Sequence, residues 1–241
     1  MVPEQDLQAL DFLLWFGTGR VAAEHAGTNQ STISRRVHQV LTTFQLSLRQ
    51  REGCHQLRGR DRDLLTLQRR VHQGRRLLGQ GALRLEVDAL VWPLLVPTTL
   101  PSWHMGCSDY LNPAGTRDLL SDHVLEAWLG PIHADDAAME ACAGGAGMRF
   151  LPLLQSVNPS IWLPSPADER PAGTELLTIA LMVAESHADH AGVTALCQSV
   201  RQQHHRLTAR HPGLKLPVAA TGASEAAVNQ GMATTLATTI D

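Results

Sequence analysis

Across the first 44 residues, apolar side chains recur three or four positions apart in three successive stretches, and glycines break the pattern between them. Asp6 to Phe16, "DLQALDFLLWF", places Leu7, Leu10, Leu13 and Leu14 at helical spacing and ends at Gly17-Thr18-Gly19. Residues 20–26, "RVAAEHA", predict a short second helix whose Ala22-Ala23 pair lets a neighbour approach closely, and Gly27 supplies a tight turn. Gln30 to about Phe44 is the third helix, with Ile33, Val37, Val40, Leu41 and Phe44 in one stripe and Thr28 or Asn29 as its N-cap. Helices this short bury their stripes only against one another, so the polar side of the third is left facing outward.

Residues 46–59, "LSLRQREGCHQLRG", have apolar ends around Arg-Glu-Gly and predict a β-wing. Three helices followed by a wing is the winged helix-turn-helix plan, in which the third helix lies in the major groove. From Arg60 the pattern turns helical again. Leu64, Leu67, Val71, Gly74 and Leu78 alternate in steps of 3 and 4, a short heptad seam closed by Gly79 and Gly81. A helix of about 20 residues spans roughly 30 Å, enough to separate two domains and to pair with a copy of itself.

Beyond residue 82 short apolar strands alternate with helical stretches: strands near 83–87, 103–107, 127–132, 148–154, 160–163 and 176–183, helices near 89–99, 116–126, 135–142 and 189–209. That alternation predicts a small α/β layer with a mostly parallel sheet. The stretch from Pro212, rich in Ala, Thr and Gly, predicts a disordered tail.

Charge divides the chain in the same place. Residues 1–85 carry 13 arginines against 7 acids, net +6, and residues 86–241 carry 7 basic and 16 acidic groups, net −9; together they give the overall −3. A basic head on an acidic body suits a protein in which only the head meets phosphates. Four cysteines lie far apart with no CxxC pair, so no disulfide framework or zinc site is expected. "HADH" at 187–190 and His204-His205 lack the partners of a metal site and read as surface histidines. "AGGAGM", 143–148, lacks phosphate-loop spacing, and no local signature of nucleophilic catalysis is present, so the expectation is a non-enzyme without cofactor or metal. No apolar run approaches the roughly 20 residues of a membrane helix, and "MVPEQDLQAL" has neither a basic leader nor a signal-peptide core, so the expected location is the cytoplasm.

The stretch "AAEHAGTNQSTISRRV", residues 22–37, resembles the LysR-type transcriptional regulators, whose pattern runs Ala-Ala, a helix end, a turn, then Ser-Gln-Ser-x-x-Ser-Arg-x-Ile. Gln30, Ser31, Ser34 and Arg35 stand at the polar positions and Val37 at the apolar one. Gln pairs in a bidentate way with adenine and Arg with guanine or phosphate, while Ser lets a helix sit deep. Gln30, Ser31, Ser34 and Arg35 are therefore expected in the groove, with Thr32 among the DNA-binding residues and Arg36, Arg51 and Arg58 at backbone phosphates. Arg49 stands where the family usually has Phe, and "RGRD", 58–61, replaces the family's Thr-x-Ala-Gly helix entry.

The resemblance implies an α/β multidomain chain: a winged helix-turn-helix at 1–59, a linker helix at 60–81 that dimerises through Leu64, Leu67, Val71 and Leu78, and an effector-binding α/β region at 82–211 like the periplasmic binding proteins. In the family a second lobe follows the first. Here only "SPADERPAGTE", 165–175, precedes "LLTIALMV", and eleven residues cannot build a lobe, which predicts a reduced, single-lobe body. A small-molecule effector, if there is one, is expected at strand ends near Asp88, Ser108 and Asp109. The function expected is a transcriptional regulator that binds double-stranded DNA as a homodimer or higher oligomer. The alternative is an interaction partner that does not bind DNA, heterodimerises with a full-length regulator and titrates it.

Overall fold

Eight residues of helix α1 (Glu4–Phe16) are buried, Asp11 among them, and the helix is apolar on more than one side. A helix buried in this way has to pack between two partners. In the computed structural model, which describes residues 2–51, 54–95, 100–108, 111, 113–133, 147–156, 177–210 and 214–216, one partner is the rest of the head and the other is a β-sheet.

The head follows the predicted order. Gly17 ends α1 in the left-handed conformation, its N–H donating to the Leu13 carbonyl. Helices α2 (Gly19–His25) and α3 (Gln30–Thr43) precede an antiparallel hairpin of β1 (Leu46–Arg51) and β2 (Cys54–Gly59), in register from Leu46↔Gly59 to Arg51↔Cys54. Helix α4 (Arg62–Leu77) then leads to β3 (Leu83–Val87), the short helix α5 (Trp92–Leu95), β4 (Trp103–Gly106), α6 (Pro113–Ser121), β5 (Ala127–His133), β6 (Met148–Ser156) and β7 (Leu177–Ala184). Helices α7 (Ala191–Gln202) and α8 (His204–Arg210) and the two-residue β8 (Leu214–Lys215) complete it.

Among the described residues the sheet is six-stranded, in the order β4-β3-β5-β7-β6-β8. It is mixed, not mostly parallel: β3 pairs parallel with β4 and β5, and β7 lies antiparallel between β5 and β6. Buried apolar runs read alike in either sense, so the direction of 176–183 was not legible. The helix expected at 189–209 is two helices meeting at Gln203, and the one expected at 116–126 stops at Ser121, where His123 takes a positive φ. Leu214 and Lys215, in the stretch read as tail, pair with Ser156 and Gln155. The strand expected at 160–163, the helix at 135–142, the segment 165–175 and residues 217–241 lie outside the described residues.

Side-chain alternation explains how the sheet joins the head. Leu83, Leu85 and Val87 of β3 enter a core with Val193, Leu196 and Val200 of α7 and Leu207 of α8. Arg84 and Glu86 point to the other face, where α1 lies. Arg84 donates to Asp11 at 2.8 Å, and Glu86 accepts from the Trp15 indole N–H at 2.5 Å. Two strand residues advance about 6.6 Å and four helical residues about 6 Å, so the two pairs match and α1 runs along β3 in the same direction. Gly106 of β4 makes the approach possible: a Cβ there would stand 2.7 Å from both the Trp15 and Phe16 rings.

Asp11 also accepts from Arg69 of α4 at 2.8 Å, with both residues at 2% exposure or less, and Arg76 of α4 donates twice to Glu126 before β5. The inward side of α4 is thus polar: Gln68, Arg69, Gln73 and Arg76 are buried. Leu7, Leu10 and Leu14 of α1 share one core with Leu119, Leu120 and Leu125 of the α6 region and with Trp128 of β5. Helix α1 therefore meets α6 and β5 directly, and α4, 16 residues long, packs beside them.

Asp11→Ala leaves two buried guanidinium groups facing each other and is expected to lower stability by about 3–5 kcal/mol in urea denaturation. Asp11→Asn keeps an acceptor and is expected to cost less. Burial pushes the Glu86 carboxyl up to about 7, opposed by its hydrogen bonds from Trp15 and Ser108. The folded state thus holds this proton more tightly than the unfolded chain, whose value is 4.5. The stability this provides is complete below the unfolded value and is lost as pH rises toward about 7, on the order of 3 kcal/mol in all. Subtracting a Glu86→Gln stability curve from the wild-type curve should give a difference that declines across that window; a flat difference contradicts the assignment.

Candidate nucleic-acid interface

The turn between α2 and α3 is built by backbone and cap. Thr18 accepts from the Val21 N–H to start α2, and Ala22 and Ala23 are buried against the other helices. Gly27 takes φ +60°, and the Thr28 N–H returns to the Ala23 carbonyl at 2.9 Å. Asn29 is the N-cap of α3. Its Oδ1 accepts from the Thr32 N–H at 2.8 Å and from the Ser31 hydroxyl at 2.7 Å. The Ser31 proton is thereby committed, which leaves its oxygen free to accept.

Ile33, Val37 and Val40 hold α3 in the core, and the opposite side is exposed at Gln30, Ser31, Ser34, Arg35, His38, Gln39 and Thr42. Those positions make one continuous helical face. Gln30, Ser31, Ser34 and Arg35 lie on it as the sequence predicts, while Thr32 is half-buried. The Gln30 side chain passes over Gly19, where a Cβ would stand 3.2 Å from its Cγ. Arg35 has no ion pair among the described residues. Arg36 differs: it turns to α1, donates to Gln5 at 2.9 Å and lies 3.5 Å from Asp6. His38, Gln39 and Thr42 were not picked out from the sequence, although their spacing of four and eight from Ser34 and Arg35 was the signal.

The wing is anchored and has an outward side. His55 Nε2 donates to the Gly17 carbonyl at 2.8 Å, and Leu46 and Leu57 are buried. Gly59 has φ +149°, and any Cβ there would overlap the Gln45 carbonyl oxygen. Arg58 and Arg49, opposite Ser47 and Gln56 in the register, are exposed. Arg49, where an aromatic residue would need a pocket, is therefore simply solvated. Arg51 pairs with Cys54, and its side chain lies outside the described residues.

The charge count of the first 85 residues overstates the free positive surface. Arg69, Arg76 and Arg84 are buried with carboxylates, and Arg20, Arg36, Arg62 and Arg75 pair with Glu24, Asp6, Asp122 and Glu4. The outer side of α4 is apolar: Leu64, Leu67, Val71 and Leu78 are 55%, 54%, 61% and 79% exposed, and a Cβ at Gly74 would meet only open space. Of the groups expected to hold an effector, Asp88 caps a turn through the Leu90 N–H. Ser108 donates from Oγ to the Trp15 carbonyl and from its N–H to Glu86, so α1 covers it. Asp109 lies outside the described residues.

Beside Ser108, Phe16 stacks on His25 at 3.7 Å, and His25 and His104 are in hydrogen-bond contact at 3.0 Å. Burial, and then the facing His25, hold His104 down at about 4, and burial likewise lowers His25. Among the described residues there is no group of three His, Cys, Asp or Glu side chains fit to hold a metal, and no helix long and apolar enough to cross a membrane.

No family model matches the chain, and no curated protein matches it. Among solved structures it is similar to a full-length OxyR variant from Pseudomonas aeruginosa, with 14% identity, 83% of this chain and 98% of that chain covered, and a TM-score of 0.44. It is also similar to CbnR, described as a LysR family transcriptional regulator, with 10% identity, coverage of 83% and 100%, and a TM-score of 0.30. Full-length CbnR in complex with its target DNA gives 11% identity, coverage of 84% and 99%, and a TM-score of 0.33. These likenesses are distant, and no assignment is drawn from them.

Asn29→Ala removes the cap of α3 and is expected to lower the denaturation midpoint by the equivalent of about 1 kcal/mol. Ser34→Ala and Arg35→Ala, on the exposed face, are expected to change stability by less than about 0.5 kcal/mol.

Proposed function

We propose that the chain is a dimeric, DNA-binding transcriptional regulator of LysR type that lays α3 in the major groove. The supporting observation is the outward face of α3: Gln30, Ser31, Ser34 and Arg35 have no task in the core, on a helix fixed from behind by Ile33, Val37 and Val40. In this reading Arg35 meets guanine O6 and N7 or a phosphate, Gln30 meets adenine, and Ser31, with its proton committed to Asn29, accepts from an exocyclic amino group. Thr32 stands at the helix start, where its backbone N–H is held by the cap. Arg58 and Arg51 approach phosphates from the wing, and Arg36, partly neutralised by Asp6, contributes less from the flank.

Dimerisation is assigned to α4, which has its polar side inward and its apolar side outward. Such a helix is unfavourable in a monomer, and a second copy would cover Leu64, Leu67, Val71 and Leu78, with Gly74 allowing close approach. Two heads related by a two-fold axis would then meet successive turns of the duplex, about 34 Å apart. In this proposal residues 1–59 read DNA, 60–81 dimerise and 82–211 support the head; the protein acts in the cytoplasm by occupying promoter DNA, without catalysis. The same seam would serve the alternative, a heterodimer that titrates another regulator, but that reading leaves the free polar face of α3 without a role.

Fluorescence anisotropy on a promoter fragment tests the proposal. With Arg35, Arg51 and Arg58 meeting phosphates from each of two heads, log K should fall with log salt at a slope of about −5. A slope near zero, or no binding, contradicts it. Arg35→Ala is expected to weaken the best site by about 1–3 kcal/mol and to relax sequence preference, whereas Arg58→Ala should weaken all sequences alike. Leu67→Glu with Val71→Glu should give a monomer in sedimentation and remove most of the affinity.

A further inference from the structure

The wing does not pack flush against the body. Between β2, the start of α4 and helix α6 lies a cleft of about 420 Å³, within the range of small-molecule sites, walled on one side by His55 and Arg58 and on the other by Asp118 and Asp122. Leu14, Leu57, Leu111 and Leu119 line it between those walls. Arg62 also lines it and makes two contacts with Asp122, at 3.1 and 3.2 Å.

Two opposite charges in this cleft are left over. Arg58 on the wing and Asp118 on α6 have no ion pair among the described residues. Burial, and then the neighbouring Asp122, push the Asp118 carboxyl above its usual value against the pull of Arg62 and Arg117, so a further cation beside it would be favoured. On the wing side, His55 Nε2 donates to Gly17, which makes Nδ1 an acceptor, and this buried Nδ1 has no hydrogen-bond partner among the described residues. A carboxylate acceptor, an unpaired guanidinium and an apolar middle together suit a ligand with a positive end, a negative end and a hydrocarbon centre.

We propose that the cleft between the wing and α6 binds a small zwitterion with an apolar body, of amino-acid to dipeptide size, its ammonium at Asp118 and its carboxylate at Arg58. This site is separate from the strand ends, where α1 covers Ser108. Resting on the proposed function, a second consequence follows: Arg58 cannot hold the ligand and a phosphate together, so ligand and DNA oppose each other, and by linkage each lowers the other's affinity.

Calorimetry on the full chain without DNA tests the site independently of DNA binding. The probes are L-leucine, L-phenylalanine and leucyl-leucine, with isoamylamine and isocaproate as half-ligands that keep only one charge. Saturable binding of at least one zwitterion is expected, with each half-ligand weaker by about tenfold or more. Asp118→Asn and Arg58→Gln, both surface changes, should each weaken the zwitterion by a similar factor. The proposal is overturned if no zwitterion binds, if a half-ligand binds as well as the zwitterion, or if both variants keep wild-type affinity.

Discussion

One buried carboxylate, Asp11, holds the molecule in register. It lies between Arg69 of α4 and Arg84 of β3, so a single side chain ties the first helix to the connecting helix and to the sheet. Apolar burial alone has no direction and would tolerate a slide of α1 along the sheet. The matched spacing of Asp11 and Trp15 against Arg84 and Glu86 does not tolerate it, because a one-residue slip would leave several charges buried without partners. Burial, and then the neighbouring Arg76, hold the Arg84 guanidinium below its ordinary value, opposed by Asp11 and Glu126.

The two outward surfaces follow from this arrangement. Because Arg69 and Arg76 are drawn inward to Asp11 and Glu126, the leucines of α4 are turned to solvent. Because α1 is occupied on both sides, α3 packs chiefly through Ile33, Val37 and Val40, with Leu41 partly buried beside them, and presents its other face to solvent.

Much of this was legible in the sequence. The boundaries of α1 to α3, the wing and the seam of α4 come from glycine punctuation and apolar spacing, which are local signals. The outward placement of Gln30, Ser31, Ser34 and Arg35 follows from the same spacing. What was not legible is long-range: Asp11 in an apolar helix and the charged alternates of "LRLEV" each marked a buried charge, but only the fold shows that they face each other. Counting arginines overstated the free charge for the same reason, since seven of the thirteen in the first 85 residues are spent on internal or surface ion pairs. Strand direction, the turning of Arg36 toward α1 and the cover over Ser108 likewise depend on partners far away in the chain.

The proposed reading of duplex DNA by the free face of α3, from a two-fold dimer, is tested most directly by selection of bound sequences from a random oligonucleotide pool. The account predicts an enriched motif with dyad symmetry, its half-sites about one helical turn apart. A pool that stays unenriched after repeated rounds, with the protein folded, would contradict it.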